Sequence, residues 1–250
     1  MSLEESPIDY ADGDVTCRGL LVRVPTAGPH PGVVLFPDAR GLGETAKASA
    51  RRLAGEGFAV FVADLYGNGA FTPEVPQAIE WMKKLGADAD RWHARARSAL
   101  DVTRRHPSVD GTKLSAIGYC FGGTTALELG RSGAALLAIV TFHGGLATSR
   151  PQDAANIKGR VLVCHGAADP LVLPAQVSEF VTQMSAATID WEIQVYAGVQ
   201  HSFTNPELTD DSVPGQRYDA AADARSWKAM VDLLREVFDR RPADGSPARG

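Results

Sequence analysis

The segment Lys113-Leu-Ser-Ala-Ile-Gly-Tyr-Cys-Phe-Gly-Gly123 decides how this chain folds. Its apolar run at 114–117 predicts a buried strand, and the Thr-Thr-Ala-Leu-Glu-Leu that follows is typical of a helix. Between them stands Gly118-Tyr-Cys-Phe-Gly122, where only glycine leaves room for so sharp a reversal of the chain. Such a turn lifts the side chain of Cys120 clear of the backbone. The segment therefore predicts a strand, a tight turn that presents a thiol, and a helix.

Outward from this turn, short apolar runs alternate with helix-prone segments along the chain. No linker or internal repeat interrupts the alternation, so we expect one mostly parallel sheet with helices on both faces. A single domain over residues 1–240 and a flexible, Pro/Gly-rich tail at 241–250 are predicted. The predicted strands are 15–24, 32–36, 58–63, 114–117, 136–142, 160–164 and 189–196; the predicted helices are 44–56, 79–85, 91–105, 124–131, 175–186 and 218–240.

The composition is that of an ordinary globular protein and argues against several function classes. The chain has 250 residues, 44% hydrophobic and 22% charged, which is enough to bury a large core. A net charge of −5 gives no electrostatic reason to expect nucleic acid or an anionic membrane as a partner. No apolar run approaches the roughly 20 residues of a membrane span, and the acidic first residues do not form a secretory signal. With only three cysteines, we expect a cytoplasmic protein rather than a disulfide scaffold.

Reactive side chains follow the predicted strands at their carboxyl ends, the edge where open parallel sheets bind ligands. Cys120, Asp169 and His201 occur there in the order nucleophile, acid, histidine that α/β-hydrolases use. A thiol becomes a good nucleophile when a base and a helix N-terminus favour its thiolate, and Cys120 begins a helix. We therefore expect His201 to be the general base and Asp169 to fix its tautomer. A turn aspartate before Pro170 and a surface histidine are the structural alternatives, and neither explains the order.

Two backbone N–H groups are predicted to hold the oxyanion that forms during acyl transfer. One belongs to Phe121, the residue after the nucleophile. The other is expected from Ala39, in the turn at 37–41 that follows an earlier strand. This second assignment is fixed only to within one residue.

The remaining cysteines and histidines do not indicate a second site. Cys17 and Cys164 lie in strand-like runs and are predicted to be buried apolar side chains. His143 and His165 follow strands and are interpreted as structural, with a place in the pocket left open for His143. No His-x-x-x-His or Cys-x-x-Cys pair supplies metal ligands, and no Gly-Lys-Ser/Thr run follows the glycines. The sequence thus predicts neither a metal nor a cofactor.

Five motifs in combination resemble the dienelactone hydrolase family. They are Gly-Tyr-Cys-Phe-Gly-Gly (118–123), Ala-Asp-Leu-Tyr (63–66), Phe-His-Gly-Gly (142–145), His-Gly-Ala-Ala-Asp-Pro (165–170) and His-Ser-Phe (201–203). The resemblance runs from about residue 33 to the last helix. It implies an α/β-hydrolase fold, a triad of Cys120, His201 and Asp169, and carboxymethylenebutenolidase-like cleavage of a small-molecule ester or lactone without a cofactor.

The sequence departs from the family's pattern at two positions of the expected pocket. Asp38 stands where characterised members carry a glutamate that restrains and helps to activate the thiol. Asn205 stands where they carry an arginine that binds the carboxylate of the substrate, four residues after the catalytic histidine. An amide offers no charged fork to a carboxylate, and Arg40 is a candidate to supply a cation instead.

The substrate is therefore left open at this point. A broad carboxylesterase or thioesterase on the same triad is the nearest alternative. A non-catalytic ligand-binding protein with the same fold is an alternative of another class. The oligomeric state, and whether residues 204–217 form a lid, are also left open.

Overall fold

The computed structural model describes residues 2–210 and 213–239, and the strands in these residues form one eight-stranded sheet. In chain order the strands are β1 (Glu4–Asp12), β2 (Val15–Arg23), β3 (His30–Phe36), β4 (Ala59–Val62), β5 (Val109–Tyr119), β6 (Ala138–Phe142), β7 (Arg160–Gly166) and β8 (Trp191–Tyr196). Their spatial order is β1-β2-β4-β3-β5-β6-β7-β8. The hairpin β1–β2 and the β2–β4 pair are antiparallel, and all other neighbours are parallel. This is the α/β-hydrolase fold that the sequence predicts.

Helices cover both faces of the sheet, which is why its central strands read as continuous apolar runs rather than as alternating ones. One face packs against the helices at 44–54 and 220–239 through side chains such as Leu53 and Leu234. The other face packs against the helices at 89–105, 121–131 and 174–186 through side chains such as Leu127 and Phe180. No helix in the described ranges combines the length and apolar character of a membrane span. The helices are α1 (Glu44–Ala54), α2 (Val75–Gly86), α3 (Ala89–Arg105), α4 (Phe121–Arg131), α5 (Pro174–Ala186) and α6 (Ala220–Asp239), with a short 3-10 helix at Pro151–Asn156.

The sequence did not predict β1, and this omission had a consequence for α3. The arginines of α3 alternate with acids in the sequence, a pattern that predicts a solvated face, but Arg95 is buried, with 2% of its surface exposed. Its Nε donates to the Asp12 carboxylate of β1 at 2.5 Å, and another guanidinium nitrogen donates to the Leu65 carbonyl at 2.7 Å. The prediction was wrong for Arg95 because its partner lies on the strand that was missed.

Element boundaries differ by a few residues from those predicted. α2 begins at Val75, with a proline in its first turn, rather than at 79. α4 begins at Phe121 rather than at 124, because Gly122 and Gly123 form part of its first turn. The tail predicted at 241–250 lies outside the described residues.

Candidate active site

The turn between β5 and α4 has the geometry of a nucleophile elbow. Cys120 caps α4 with φ +53° and ψ −119°, a left-handed conformation that non-glycine residues rarely adopt and that is typical of functional sites. A Cβ at Gly118 would lie 2.0 Å from the carbonyl oxygen of Gly122, and one at Gly122 would lie 2.1 Å from the carbonyl oxygen of Phe36. The predicted need for glycine at both positions is therefore confirmed. The turn that these glycines allow leaves Cys120 partly exposed.

Asp169 and His201 form a buried pair beside this turn. Nδ1 of His201 donates to Oδ2 of Asp169 at 2.7 Å, and the two residues are only 3% and 5% exposed. The second carboxylate oxygen of Asp169 accepts the N–H groups of Leu171 (2.8 Å) and Val172 (3.2 Å). Because an ionised carboxylate only accepts, the proton must sit on Nδ1, and Nε2 is left for chemistry.

The free nitrogen of His201 lies near the sulfur of Cys120. Nε2 is buried and has no partner with full hydrogen-bond geometry in the described part of the chain, which is common for catalytic groups without substrate. Burial lowers the pKa of His201, but the negative charge of the Cys120 thiolate and the hydrogen bond to Asp169 outweigh burial and raise the pKa to about 10. The arrangement therefore favours an imidazolium beside the sulfur of Cys120.

The segments that carry the two predicted oxyanion donors meet, because α4 starts against the end of β3 and a Cβ at Gly122 would lie 2.1 Å from the carbonyl oxygen of Phe36. Phe121 is the first residue of α4, where a backbone N–H has no acceptor within the helix. In the turn after β3, Asp38 binds the N–H groups of Arg40 (through its side chain, 2.9 Å) and of Gly41 (through its carbonyl, 3.1 Å). That bonding does not involve the N–H of Ala39, whose carbonyl instead accepts the hydroxyl of Tyr66 at 3.0 Å.

A second imidazole, that of His143, lies between the elbow and the loop of His201. Its Nδ1 accepts the N–H of Cys120 at 3.2 Å, a donor that it shares with the carbonyl of Phe142 at 3.0 Å. With Nδ1 as an acceptor, the proton is on Nε2, which donates to Oγ1 of Thr204 at 2.8 Å. Burial, and then the nearby charge of His201, lower the pKa of His143 well below its usual value. Since both of its nitrogens are engaged and its neutral form is favoured, His143 is not suited to be the base.

A small cleft of about 90 Å³ opens beside His143, and its lining includes three residues expected from the sequence, Asp38, Arg40 and Asn205. Burial raises the pKa of Asp38. The side-chain oxygen of Asn205 accepts the N–H of Glu207 at 3.0 Å and is thus engaged in its own turn. The guanidinium of Arg40 makes no ion pair with any described residue and is the available cation of this cleft.

Other candidate sites carry no comparable chemistry. A larger cavity of about 650 Å³ lies at the opposite edge of the sheet, by the amino ends of β5 and β7, with Lys113 and Arg160 in its lining. Across residues 2–210 and 213–239, no three His, Cys, Asp or Glu side chains are grouped as a metal site would require.

The model of the dienelactone hydrolase family matches residues 17–238. The chain belongs to the dienelactone hydrolase family. A solved structure called m3DLH superposes with a TM-score of 0.91 and 45% identity, covering 95% of this chain and all of that one. The crystal structure of a dienelactone hydrolase-like promiscuous phosphotriesterase from metagenomic libraries gives a TM-score of 0.90 and 42% identity over the same shares. A protein of Aquifex aeolicus provisionally named carboxymethylenebutenolidase is 25% identical over 236 residues, which is 91% of this chain and 96% of the relative. The chain is thus a hydrolase of ester or lactone bonds.

Two residues of this dienelactone hydrolase site were not singled out from the sequence. Thr204 belongs to none of the motifs. Its role depends on a contact with His143, 61 positions away in the sequence, which no local pattern indicates. Tyr66 stood within the Ala-Asp-Leu-Tyr motif, but nothing local indicates that its hydroxyl reaches Ala39. His165, which was interpreted as structural, is buried near Asp169 and His201, and burial lowers its pKa.

Proposed function

We propose that this hydrolase uses Cys120 as a covalent nucleophile and passes through a thioester acyl-enzyme. The observation that carries the proposal is the thiol on the strained turn at the N-terminus of α4, beside a histidine whose other nitrogen is bonded to a buried carboxylate at 2.7 Å. A helix N-terminus and an adjacent imidazolium both favour a thiolate. These are the requirements of an activated nucleophile.

In the acylation step, the Cys120 thiolate adds to the carbonyl carbon of the ester or lactone. The carbonyl electron pair moves to oxygen, and the N–H groups of Ala39 and Phe121 stabilise the resulting oxyanion. When the intermediate collapses, the carbon–oxygen bond to the leaving group breaks, and Nε2–H of His201 protonates the departing oxygen. An acyclic ester thereby releases its alcohol, whereas a lactone keeps the new hydroxyl on the acyl chain.

In the deacylation step, His201 is neutral and takes a proton from water as the water attacks the thioester carbonyl. The second tetrahedral intermediate expels the Cys120 thiolate and releases the carboxylic acid. The imidazolium formed in this step is stabilised by Asp169 and is again paired with the thiolate. The cycle therefore balances without a cofactor.

The charged groups near the thiol do not fix the charge of the substrate. In the cleft beside His143, Arg40 is the cation, while Asp38, Glu44 and Glu207 are acids. Cys120 and His201 do not line this cleft, so its volume does not set the size of the substrate. We propose an ester or lactone as the substrate and leave its size and charge open.

The thioester distinguishes this mechanism from general-base hydrolysis by water alone. We expect wild-type protein that is acid-quenched during p-nitrophenyl acetate turnover to carry one acetyl group on Cys120, and neutral hydroxylamine to remove it. Cys120→Ala is expected to lose both the adduct and turnover. Cys120→Ser is the matched control, since an acetyl ester on serine resists neutral hydroxylamine. Turnover by Cys120→Ala would contradict the proposal.

Two further assays separate the alternatives. A panel of small lactones, acyclic esters, thioesters and an aryl dialkyl phosphate, the last because of the phosphotriesterase relative, distinguishes a lactonase from a broad esterase. A non-catalytic binding protein would show a Cys120 no more reactive toward iodoacetamide at neutral pH than a free thiol.

A further inference from the structure

The geometry points to a positioning role for His143. We propose that this imidazole, together with Thr204, holds the nucleophile turn and the loop of the base at a fixed separation. The proposal rests on the proposed function, because it takes Cys120 and His201 as the groups that must be aligned. It goes beyond that function by naming the contact that aligns them.

The two hydrogen bonds of His143 end on the two segments that carry the reacting groups. The backbone N–H of Cys120 is shared between the carbonyl of Phe142 (3.0 Å) and Nδ1 of His143 (3.2 Å). Nε2–H donates to Thr204, three residues after His201, at 2.8 Å. One rigid ring thus spans from the strained turn to the loop, and a ring has no internal torsion through which the span could lengthen.

The surroundings of His143 keep the ring in this place. The residue is 3% exposed, and its ring lies edge-on against those of His201 (centroids 5.0 Å apart) and Phe203 (5.2 Å). Its own backbone is left-handed, with φ +43°, and its N–H donates to the carbonyl of Cys164 at 2.8 Å. A non-glycine residue retains such a conformation only where neighbouring contacts determine it.

The neutral state of His143 matters for the chemistry as well as for the geometry. A proton on Nδ1 would point at the N–H of Cys120, and the resulting charge would repel the imidazolium of His201. The titratable groups that face His143 are Tyr119, Cys120 and His201, with Asp38 and Arg40 lining the same cleft. Because His143 is neutral, His201 is the cation that pairs with the thiolate.

The test removes one end of the bridge at a time. Thr204→Val replaces the accepting hydroxyl with a methyl group of similar size, and Thr204→Ser is the matched control that keeps the hydroxyl. His143→Phe removes both hydrogen bonds from a ring of similar shape. Native iodoacetamide labelling counts the active sites, since Cys17 and Cys164 are fully buried, and kcat is expressed per labelled site.

We expect Thr204→Val to lower kcat per site by about tenfold with little change in KM, because small misalignments of reacting groups are costly. The pH at which Cys120 becomes half-maximally reactive is expected to rise, and Thr204→Ser to restore both quantities. His143→Phe is expected to show the larger effect in the same direction.

A merely structural role predicts a lower melting temperature with wild-type kcat per site and an unchanged alkylation profile, and that result would overturn the inference. If Cys120→Ala is inactive in the same assay, the proposed function stands whatever the outcome for Thr204. If Cys120→Ala retains turnover, the proposed function itself fails.

Discussion

His201 is buried, yet its surroundings favour its charged form. Burial by itself lowers the pKa of this imidazole, and the interactions with Cys120 and Asp169, the Cys120 charge foremost, reverse the effect and bring the pKa to about 10. An imidazole that keeps its proton up to such a pH places a positive charge beside the sulfur throughout the neutral range. The raised pKa of His201 therefore depends on charge at its neighbour Cys120.

This coupling predicts the pH dependence of alkylation. His201 has a folded pKa above its usual 6.5, so its stabilisation of the thiolate is present at neutral pH and is lost as pH rises through about 10. We expect wild-type Cys120 to react with iodoacetamide at pH 6 at least about tenfold faster than in His201→Gln, where the rate should follow an ordinary thiol with a midpoint near 8.5. Coincident rate–pH curves for the two proteins would contradict the ion pair.

Asp169 is predicted to act on the tautomer of His201 rather than on the proton transfer itself. In Asp169→Asn, an amide N–H would face Nδ1 and leave the proton on Nε2, where it blocks the base. We expect kcat to fall by roughly 10²–10⁴-fold with KM little changed. The backbone N–H bonds from Leu171 and Val172 can still be made by the amide oxygen, so circular dichroism and melting should confirm an intact fold. A variant with wild-type kcat would remove Asp169 from the triad.

The strand–turn–helix unit explains why glycine is needed in its elbow. The atoms that a Cβ at Gly118 would strike belong to the backbone of Gly122 and Gly123, which cannot rotate away as a side chain can. The two residues are part of the first turn of α4, so relief would have to move the start of the helix. Glycine at 118 is thus needed both for the chain to turn without a clash and for the Cys120 thiol to keep its position.

Gly118→Ala is accordingly expected to cost about 3 kcal/mol or more in unfolding free energy and to abolish turnover, as measured by urea unfolding and ester hydrolysis. Gly86→Ala is the matched control. Gly86 ends α2, its Cβ would come no closer than 3.9 Å to Phe121, and alanine is the better helix former. A Gly118→Ala protein as stable and active as Gly86→Ala would refute the steric account.

The same unit shows what the sequence could predict and what it could not. Strand, turn and thiol were readable because glycine spacing and apolar runs are local signals, and the strand ends then bring Asp169 and His201 to the same edge. The bridge through His143 was not predictable, since it depends on Thr204 being opposite a ring 61 positions away. β1 was not predicted because Glu4–Asp12 is acidic and half-exposed. Since the partner of Arg95 is Asp12 on this strand, the burial of Arg95 could not be predicted either.

The hairpin β1–β2 contacts the loop that follows β4, and this loop reaches the site. The carboxylate of Asp64 accepts backbone N–H groups from β2 and from its own loop, those of Arg18, Tyr66, Gly67 and Gly69, at 2.7–3.0 Å. Arg95 joins the same loop, through the Leu65 carbonyl, to β1. Since Tyr66 in this loop holds Ala39, the hairpin helps to position the proposed oxyanion donor.

Asp12→Ala tests this long-range support, because it leaves the Arg95 guanidinium buried without its carboxylate. Breaking a buried ion pair from one side costs about 3–5 kcal/mol, so we expect a clearly lower urea midpoint at an unchanged slope. Activity should also fall, since the loop of Leu65 and Tyr66 loses an anchor.

Asp9→Ala is the matched control on the same strand. Asp9 pairs with Arg18 at the surface, where 53% and 59% of the two side chains are exposed, and such solvent-exposed pairs contribute little to stability. If both variants unfold at the wild-type midpoint, the Arg95–Asp12 pair does not hold the hairpin to α3. If Asp12→Ala has a lower midpoint but wild-type activity, the Arg95–Asp12 pair contributes to stability only, and the hairpin does not help to position the active site.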